Sequence, residues 1–225
     1  LLIDEVQYLS TEDLSALIVA LHRVAQSELP IVFAGAGLPQ VARLAGDAKS
    51  YAERLFAYPP VGALDEAAAT QAIRKPIKDE GAAIHDEAVT QIVAETKGYP
   101  FFIQEWASQA WDVAAGPTVT LDDVKASYDP VIASLDAGFF KVRMDRLARA
   151  ETEFVAVMAG LGDGPYPIAD IAKKMNRTPS SLGPARAKII SKGMIYSTEH
   201  GYLDFTVPLF AEFMRRNADT YPNNT

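Results

Sequence analysis

The spacing of apolar positions changes along this chain, and the changes mark its elements. Leu1, Leu2 and Ile3 form an apolar run that stops at two adjacent carboxylates, Asp4 and Glu5. Ser10 and Asp13 then mark a helix start. Leu14, Leu17, Ile18 and Leu21 recur on one helical face, which predicts an amphipathic helix of about three turns. Leu29 to Gly35 reads as a second short apolar strand ending in small residues. Strand, helix, strand is a parallel crossover unit.

From Leu64 the pattern turns helical. Asp65-Glu66 start a helix that Pro76 should break, Gly81 separates it from the next, and that one begins near His85-Asp86-Glu87. Lys97-Gly98-Tyr99-Pro100 closes it with a cation and a glycine. An aromatic-rich helix follows with Phe101, Phe102, Ile103, Trp106 and Trp111, whose rings read as packing between helices. Thr120 to Asp123 caps a further helix, and a helical stretch runs on through Phe139 and Phe140. Beyond it, Ala150 to Leu161, Ile168 to Ala172 and a stretch capped by Thr178-Pro179-Ser180-Ser181 give three helices. Met194 to Tyr196 and Tyr202 to Phe205 then form two strands about a Glu199-His200-Gly201 turn. Three helices and a two-stranded wing predict a winged helix-turn-helix.

At 225 residues and 49% apolar the chain can bury one or two cores. No apolar run approaches the roughly 20 residues that span a bilayer and no signal peptide is visible, so the expected location is cytoplasmic, with no membrane partner. Without cysteine there is no disulfide framework and no thiol nucleophile. His22, His85 and His200 stand far apart and read as structural or surface residues rather than metal ligands. Charge is uneven: residues 1 to 145 carry 11 Lys and Arg against 21 Asp and Glu, whereas 146 to 216 carry 10 against 7. An acidic body repels nucleic acid, and a mildly basic C-terminal module tolerates it.

The chemistry concentrates at two places. A buried strand fixes acidic groups just beyond its carboxyl end, the arrangement by which nucleotide hydrolases hold Mg²⁺ and polarise a water. Asp4 and Glu5 stand there; an alternative is a pair of solvated carboxylates beginning a turn. In the C-terminal module Arg177, Arg186, Lys188 and Lys192 lie in or beside the third helix, where a DNA reader places its contacts, and Ser180 and Ser181 could donate to a phosphate. The same cations also suit a solvated face, and the preferred reading is a regulatory module that works without DNA.

These segments together carry a family resemblance. LLIDEVQYL resembles the Walker B segment of AAA+ and STAND P-loop ATPases, and IVFAGAGLPQ their sensor 1 strand and loop. Tyr51 to Tyr58 is similar to the arginine-bearing segment that enters the last core strand. Ala72 to Trp111 resembles their helical lid, with Gly98-Tyr99-Pro100 in the place of its GxP motif. The chain departs from the family at Ala34 to Gly37, where the sensor 1 strand often ends in a polar residue, and it has no sensor 2 arginine near Gly98.

The resemblance implies a mainly α chain with a partial α/β core: a truncated P-loop ATPase sheet (1–62), a helical lid (63–145), a winged-helix domain (146–216) and a tail (217–225). It implies ATP and Mg²⁺ as cofactors of the intact protein, with Asp4 on the metal, Glu5 as general base, Arg54 stabilising charge on the leaving phosphates, and Gly98 and Pro100 bounding the adenine. No G-x-x-x-x-G-K-[ST] phosphate loop occurs in the sequence, so no ATP is expected to bind this stretch by itself. In the family the strand carrying that loop lies between the sensor 1 strand and the last core strand. Without it, Ile31 to Ala34 and Leu55 to Tyr58 should be parted, favouring rearrangement or self-association around residues 1 to 60. Further expected partners are DNA or a protein on the winged helix. The alternative is a non-enzymatic DNA-binding or adaptor protein on an ATPase-like scaffold.

Overall fold

A computed structural model describes residues 1–221, in two compact units that divide after Val61. The tail assigned to 217–225 therefore lies partly outside the described residues.

The first unit opens with β1 (Leu2–Ile3), a 3₁₀ turn over Val6–Tyr8, and α1 (Thr11–Gln26). The Ser10 hydroxyl accepts the Asp13 N–H at 3.0 Å and donates to the Asp13 carboxylate at 2.8 Å, a side-chain cap on the first turn. Leu14, Ile18 and Leu21 make the buried stripe that the spacing predicts, and the helix runs one turn longer than expected. β2 (Ala34–Gly35) pairs in parallel with β1, Leu2 opposite Ala34 and Ile3 opposite Gly35. Leu29 to Phe33, expected in that strand, lie outside it. α2 (Val41–Ala48) and α3 (Ala52–Leu55) follow. Leu55 to Tyr58 make no strand: Leu55 ends α3, and Phe56 is extended but unpaired, its ring 5.8 Å from Phe33. Val6, Leu14, Ile18, Ala45 and Ala52 form this unit's small core.

The second unit begins with α4 (Glu66–Asp79), capped by the Asp65 carboxylate. Pro76 sits inside α4 rather than breaking it. The proline removes one hydrogen bond, but Ile73 and Ile77 on either side are buried, and that burial outweighs the loss. β3 (Ala83–Ile84), α5 (Asp86–Thr96) and α6 (Pro100–Val113) come next, and β4 (Thr118–Val119) pairs in parallel with β3. α7 (Leu121–Ala126) has a full capping box between Thr120 and Asp123, and α8 (Tyr128–Ser134) leads into a π-helical turn, Leu135–Phe140.

α9 (Lys141–Met144) and α10 (Arg149–Ala159) carry the chain into its C-terminal region. There β5 (Tyr166–Pro167), α11 (Ile168–Lys174), a 3₁₀ turn (Pro179–Leu182) and α12 (Gly183–Ser191) precede β6 (Ile195–Ser197), β7 (Tyr202–Phe205) and α13 (Phe210–Arg216). The strands form an antiparallel sheet in the order β5-β7-β6. The stretch expected as one helix from Thr178 is thus two pieces. One hydrophobic core runs from Ala69 to Met214 through Phe102, Trp106, Phe140, Phe154 and Phe210. Among the described residues no helix is long and apolar enough to cross a membrane.

Candidate functional site

Asp4 and Glu5 stand at the carboxyl end of β1. Ala36 N–H donates to the Ile3 carbonyl at 2.9 Å and Val6 N–H to the Ala36 carbonyl at 3.0 Å, so the backbone on both sides of the carboxylates is held to the end of β2. Between those anchors Glu5 takes the left-handed conformation, φ 54° and ψ 42°, which is uncommon for a residue with a Cβ. Asp4 Oδ1 accepts the Glu5 N–H at 2.8 Å. Both side chains are exposed.

Gln7, which sequence reasoning passed over, ties this corner together. Its Nε2 donates to Glu5 Oε2, and its Oε1 accepts the Leu38 N–H at 3.1 Å. The small residues Ala34 to Gly37 acquire a physical reason. A Cβ on Gly37 would lie 2.5 Å from Gln7 Oε1, and one on Gly35 would lie 2.9 Å from Val6 Cγ2. The space a polar side chain at the strand end would need is taken by Gln7 and Val6. The sequence offers only a polar amide two residues past the glutamate, and no local pattern foretells its partner at Leu38.

Asp4 Oδ2 and Glu5 Oε1 have no hydrogen-bond partner among the described residues. No group of three or more His, Cys, Asp or Glu side chains able to hold a metal occurs among the described residues either. An all-protein cage is thereby absent there, but Mg²⁺ is commonly held by one or two carboxylates with water and phosphate oxygens. The exposed Asp4 carboxylate suits that mode.

Arg54 lies in the last turn of α3, exposed and without a carboxylate partner among the described residues. Gly98 and Pro100 belong to the second unit. Gly98 has φ +73°, and a Cβ there would sit 2.4 Å from the Leu64 carbonyl oxygen. Leu64 N–H donates to the Gly98 carbonyl at 2.9 Å, so the backbones touch and only glycine fits. Pro100 is the first residue of α6, where its missing N–H costs nothing. Beside it Phe101 stacks on Phe139 at 4.9 Å, and the Arg143 guanidinium lies 3.6 Å above the Phe139 ring.

In the C-terminal region Arg177, Arg186 and Lys188 make no ion pair among the described residues, and neither do Lys173 and Lys174 at the end of α11. Lys192 is otherwise engaged: its Nζ donates to Glu151 Oε2 at 2.5 Å and to the Arg146 carbonyl at 2.7 Å. Burial pushes the Glu151 carboxyl up, but hydrogen bonds from Lys192 and the Ala148 N–H, with the Lys192 and Lys188 charges, bring it below its ordinary value. Ser180 and Ser181 lie in the 3₁₀ turn, not at the start of α12. Ser181 Oγ is spent on the Thr178 carbonyl at 2.8 Å, and Ser180 Oγ lies 3.1 Å from Thr178 Oγ1.

A family model described as a domain of unknown function (DUF8462) matches residues 137–214. No curated protein matches the chain. Among solved structures, a Walker-type ATPase of Pyrococcus abyssi is similar with a TM-score of 0.65 at 15% identity, covering 95% of this chain and 62% of that one. The Holliday junction branch migration motor RuvB of Thermotoga maritima gives a TM-score of 0.52 at 14% identity, covering 90% of this chain and 65% of that one. This chain has a P-loop ATPase-related fold. It spans less than two thirds of the length of either relative.

Proposed function

We propose that this chain is the C-terminal part of an AAA+/STAND-like ATPase that hydrolyses ATP when intact and signals through a winged-helix domain. The observation that carries the reading is the Asp4-Glu5 pair at the carboxyl end of a parallel strand, with Glu5 fixed by Gln7. Asp4 would hold Mg²⁺ directly or through water, and the ion would neutralise phosphate charge. Gln7 occupies one Glu5 oxygen and leaves the other free to take a proton from the attacking water. Arg54, with no acidic partner among the described residues, is available to phosphate oxygens. Gly98 and Pro100 would bound the adenine from a lid over 63–145, ahead of a winged helix over 146–216.

Exposure of the strand pair supports a partial core over 1–62. Parallel sheets are covered on both faces, yet Leu2 of β1 is 84% exposed, Ala34 and Gly35 of β2 are exposed, and so is Val32 just ahead of β2 at 81%. Further strands of the same sheet, or a second copy of the chain, would cover them.

The test is ATP hydrolysis by the chain extended upstream in its own reading frame. Glu5→Gln should keep Mg-ATP binding and lower turnover by about 10² or more. An extended frame without a phosphate loop, or turnover indifferent to Glu5→Gln, would refute the reading and leave the adaptor.

The five cations of α11, the following turn and α12 that make no ion pair among the described residues favour a second reading, in which the winged helix contacts DNA. Lys192 would not take part directly, being held by Glu151.

A further inference from the structure

Where the π-helical turn runs into α9, the surface carries apolar side chains beside an arginine that no carboxylate meets. Phe101 at the start of α6 is 44% exposed, and Val142 of α9 is 46% exposed. Phe139, Val142 and Arg143 stand three and four residues apart, which puts them on one helical face. The Phe101 ring lies within 19° of parallel to that of Phe139, and the Arg143 guanidinium sits 3.6 Å over the same Phe139 ring. Arg143 is half-buried, and its one hydrogen bond among the described residues runs from Nη1 to the Phe139 carbonyl at 3.1 Å. Arg74, Arg215 and Arg216 each meet a carboxylate; Arg143 meets none among the described residues. Burial lowers the Arg143 guanidinium below its ordinary value, with Tyr99 opposing and Arg146 adding a like charge. A cation partly out of water beside a second cation is costly until an anion pairs with it. Its own segment supplies none: from Lys141 to Arg149 the chain carries four cations and one carboxylate, Asp145, which lies 3.5 Å from Lys141.

We propose that this surface docks a segment of a partner protein in which carboxylates are interspersed with apolar side chains. An apolar side chain of the partner lies on Phe101 and Val142, and a carboxylate takes the guanidinium donors of Arg143 that no protein acceptor meets. Aromatic rings and arginine are the side chains that carry most binding energy at protein interfaces. Stacking on Phe139 already holds Phe101 and Arg143 in place, which lowers the cost of ordering them on binding. A nucleic acid suits the surface less. Its phosphates would meet the arginines, but the body of the chain, with 21 Asp and Glu against 11 Lys and Arg over residues 1 to 145, repels a polyanion, and Val142 offers it nothing. The residues are not those of α12 that face DNA in the second reading above, and the proposal does not rest on ATP hydrolysis.

The experiment titrates the isotope-labelled chain with the peptide acetyl-Glu-Leu-Glu-Glu-Phe-Leu-Glu amide, and with the same peptide carrying Gln in place of every Glu. The readout is the set of amide resonances of Phe101, Phe139 and Arg143, with the indole N–H of Trp111, 40% exposed near the far end of α6, as internal control. The acidic peptide should shift the three amides saturably and leave the indole in place. The glutamine peptide should bind about tenfold more weakly or worse. Phe101→Ser and Arg143→Met should each weaken the acidic peptide about tenfold, and Arg143→Met should also remove most of its advantage over the glutamine peptide. Phe101 is exposed, so that variant keeps the fold, and the remaining resonances of the same spectra report on both. No shift at Phe101 and Arg143, equal binding of the glutamine peptide, binding indifferent to Arg143→Met, or displacement of the peptide by ATP or single-stranded oligothymidylate would overturn the proposal.

Discussion

Lys192 and Glu151 offer the sharpest test of what holds the C-terminal region together. The Glu151 side chain is 5% exposed and that of Lys192 32%, at an N···O distance of 2.5 Å. Lys192→Met keeps the apolar stem and removes only the charge. Taking one partner from a fully buried pair costs about 3–5 kcal/mol. Water reaches this pair from the lysine side, so the expected loss is about 2–3 kcal/mol at pH 7. For a chain of this size that lowers Tm by about 4–12 °C. The dependence on pH identifies the cause. The Glu151 carboxyl is held below its ordinary 4.5 in the folded chain, so its contribution is present above that value and is lost as pH falls through the folded one. The gap between wild type and Lys192→Met should therefore narrow as pH drops below 4.5. Adding Glu151→Gln should restore part of the loss, because a neutral amide needs no counter-charge. Thermal unfolding at a series of pH values measures all three. A loss under about 0.5 kcal/mol, within the range of ordinary surface substitutions, or a gap that ignores pH, would refute the argument.

Gly98→Ala forces a Cβ to within 2.4 Å of the Leu64 oxygen at φ +73°; we expect a loss of at least about 2 kcal/mol in urea unfolding, where a neutral result would show the turn to be adaptable. Burial, with Asp204 next in effect, pushes the Tyr166 phenol up to about 12. Its contribution to stability should be whole below the ordinary value of 10 and decay as pH rises through about 12, and absorbance titration should show one tyrosine ionising well after the rest. If α12 meets DNA, Arg186→Ala with Lys188→Ala should weaken binding and flatten its salt dependence by about two counterions, as seen in fluorescence anisotropy across a salt series. Binding indifferent to both would assign the face to a protein.

Local chemistry made the helices readable, and distant pairing kept the strands from being so. Ser10 with Asp13, Asp65 ahead of Ala68, and Thr120 with Asp123 each cap a helix from within four residues, and all three form as the sequence predicts. The two-residue pairing of Ala83-Ile84 with Thr118-Val119 joins segments 35 positions apart and leaves no periodicity in so short a run. Leu55 to Tyr58 is apolar enough for a strand, but Leu55 is taken up by α3 and the rest pairs with no strand among the described residues, and a strand exists only through its partner. At the carboxylate corner the sequence places Asp4 and Glu5 directly after an apolar run, and the structure puts both at the end of β1. The sequence did not reveal Gln7, whose role depends on the Leu38 N–H coming within 3.1 Å. Nor did it reveal the division of labour among the cations, since Lys192 differs from Lys188 only in facing the buried Glu151.

Charge and motif change near residue 145, but the packing does not. Phe140, fully buried at the end of the π-helical turn, lies 5.8 Å from Phe102 of α6, 5.7 Å from Phe210 and 5.0 Å from Phe213 of α13. Lys97, the residue before Gly98, reaches Glu212 at 2.7 Å, and Arg216 reaches Asp136 at 2.7 Å. A hinge needs a boundary that few contacts cross, whereas here aromatic rings interlock across it and ion pairs flank them. The helices around Gly98 and the region around α12 are therefore one mechanical piece. If nucleotide acts at Gly98 and Pro100 as proposed, its effect would not travel along a flexible linker. Displacement of α6 would carry α13 with it through Phe140, and α12 would follow through α10, to which the Glu151–Lys192 pair fastens it. Rigid transmission of that kind asks little of the cations of α12 and much of the buried rings and of the buried Glu151 carboxylate.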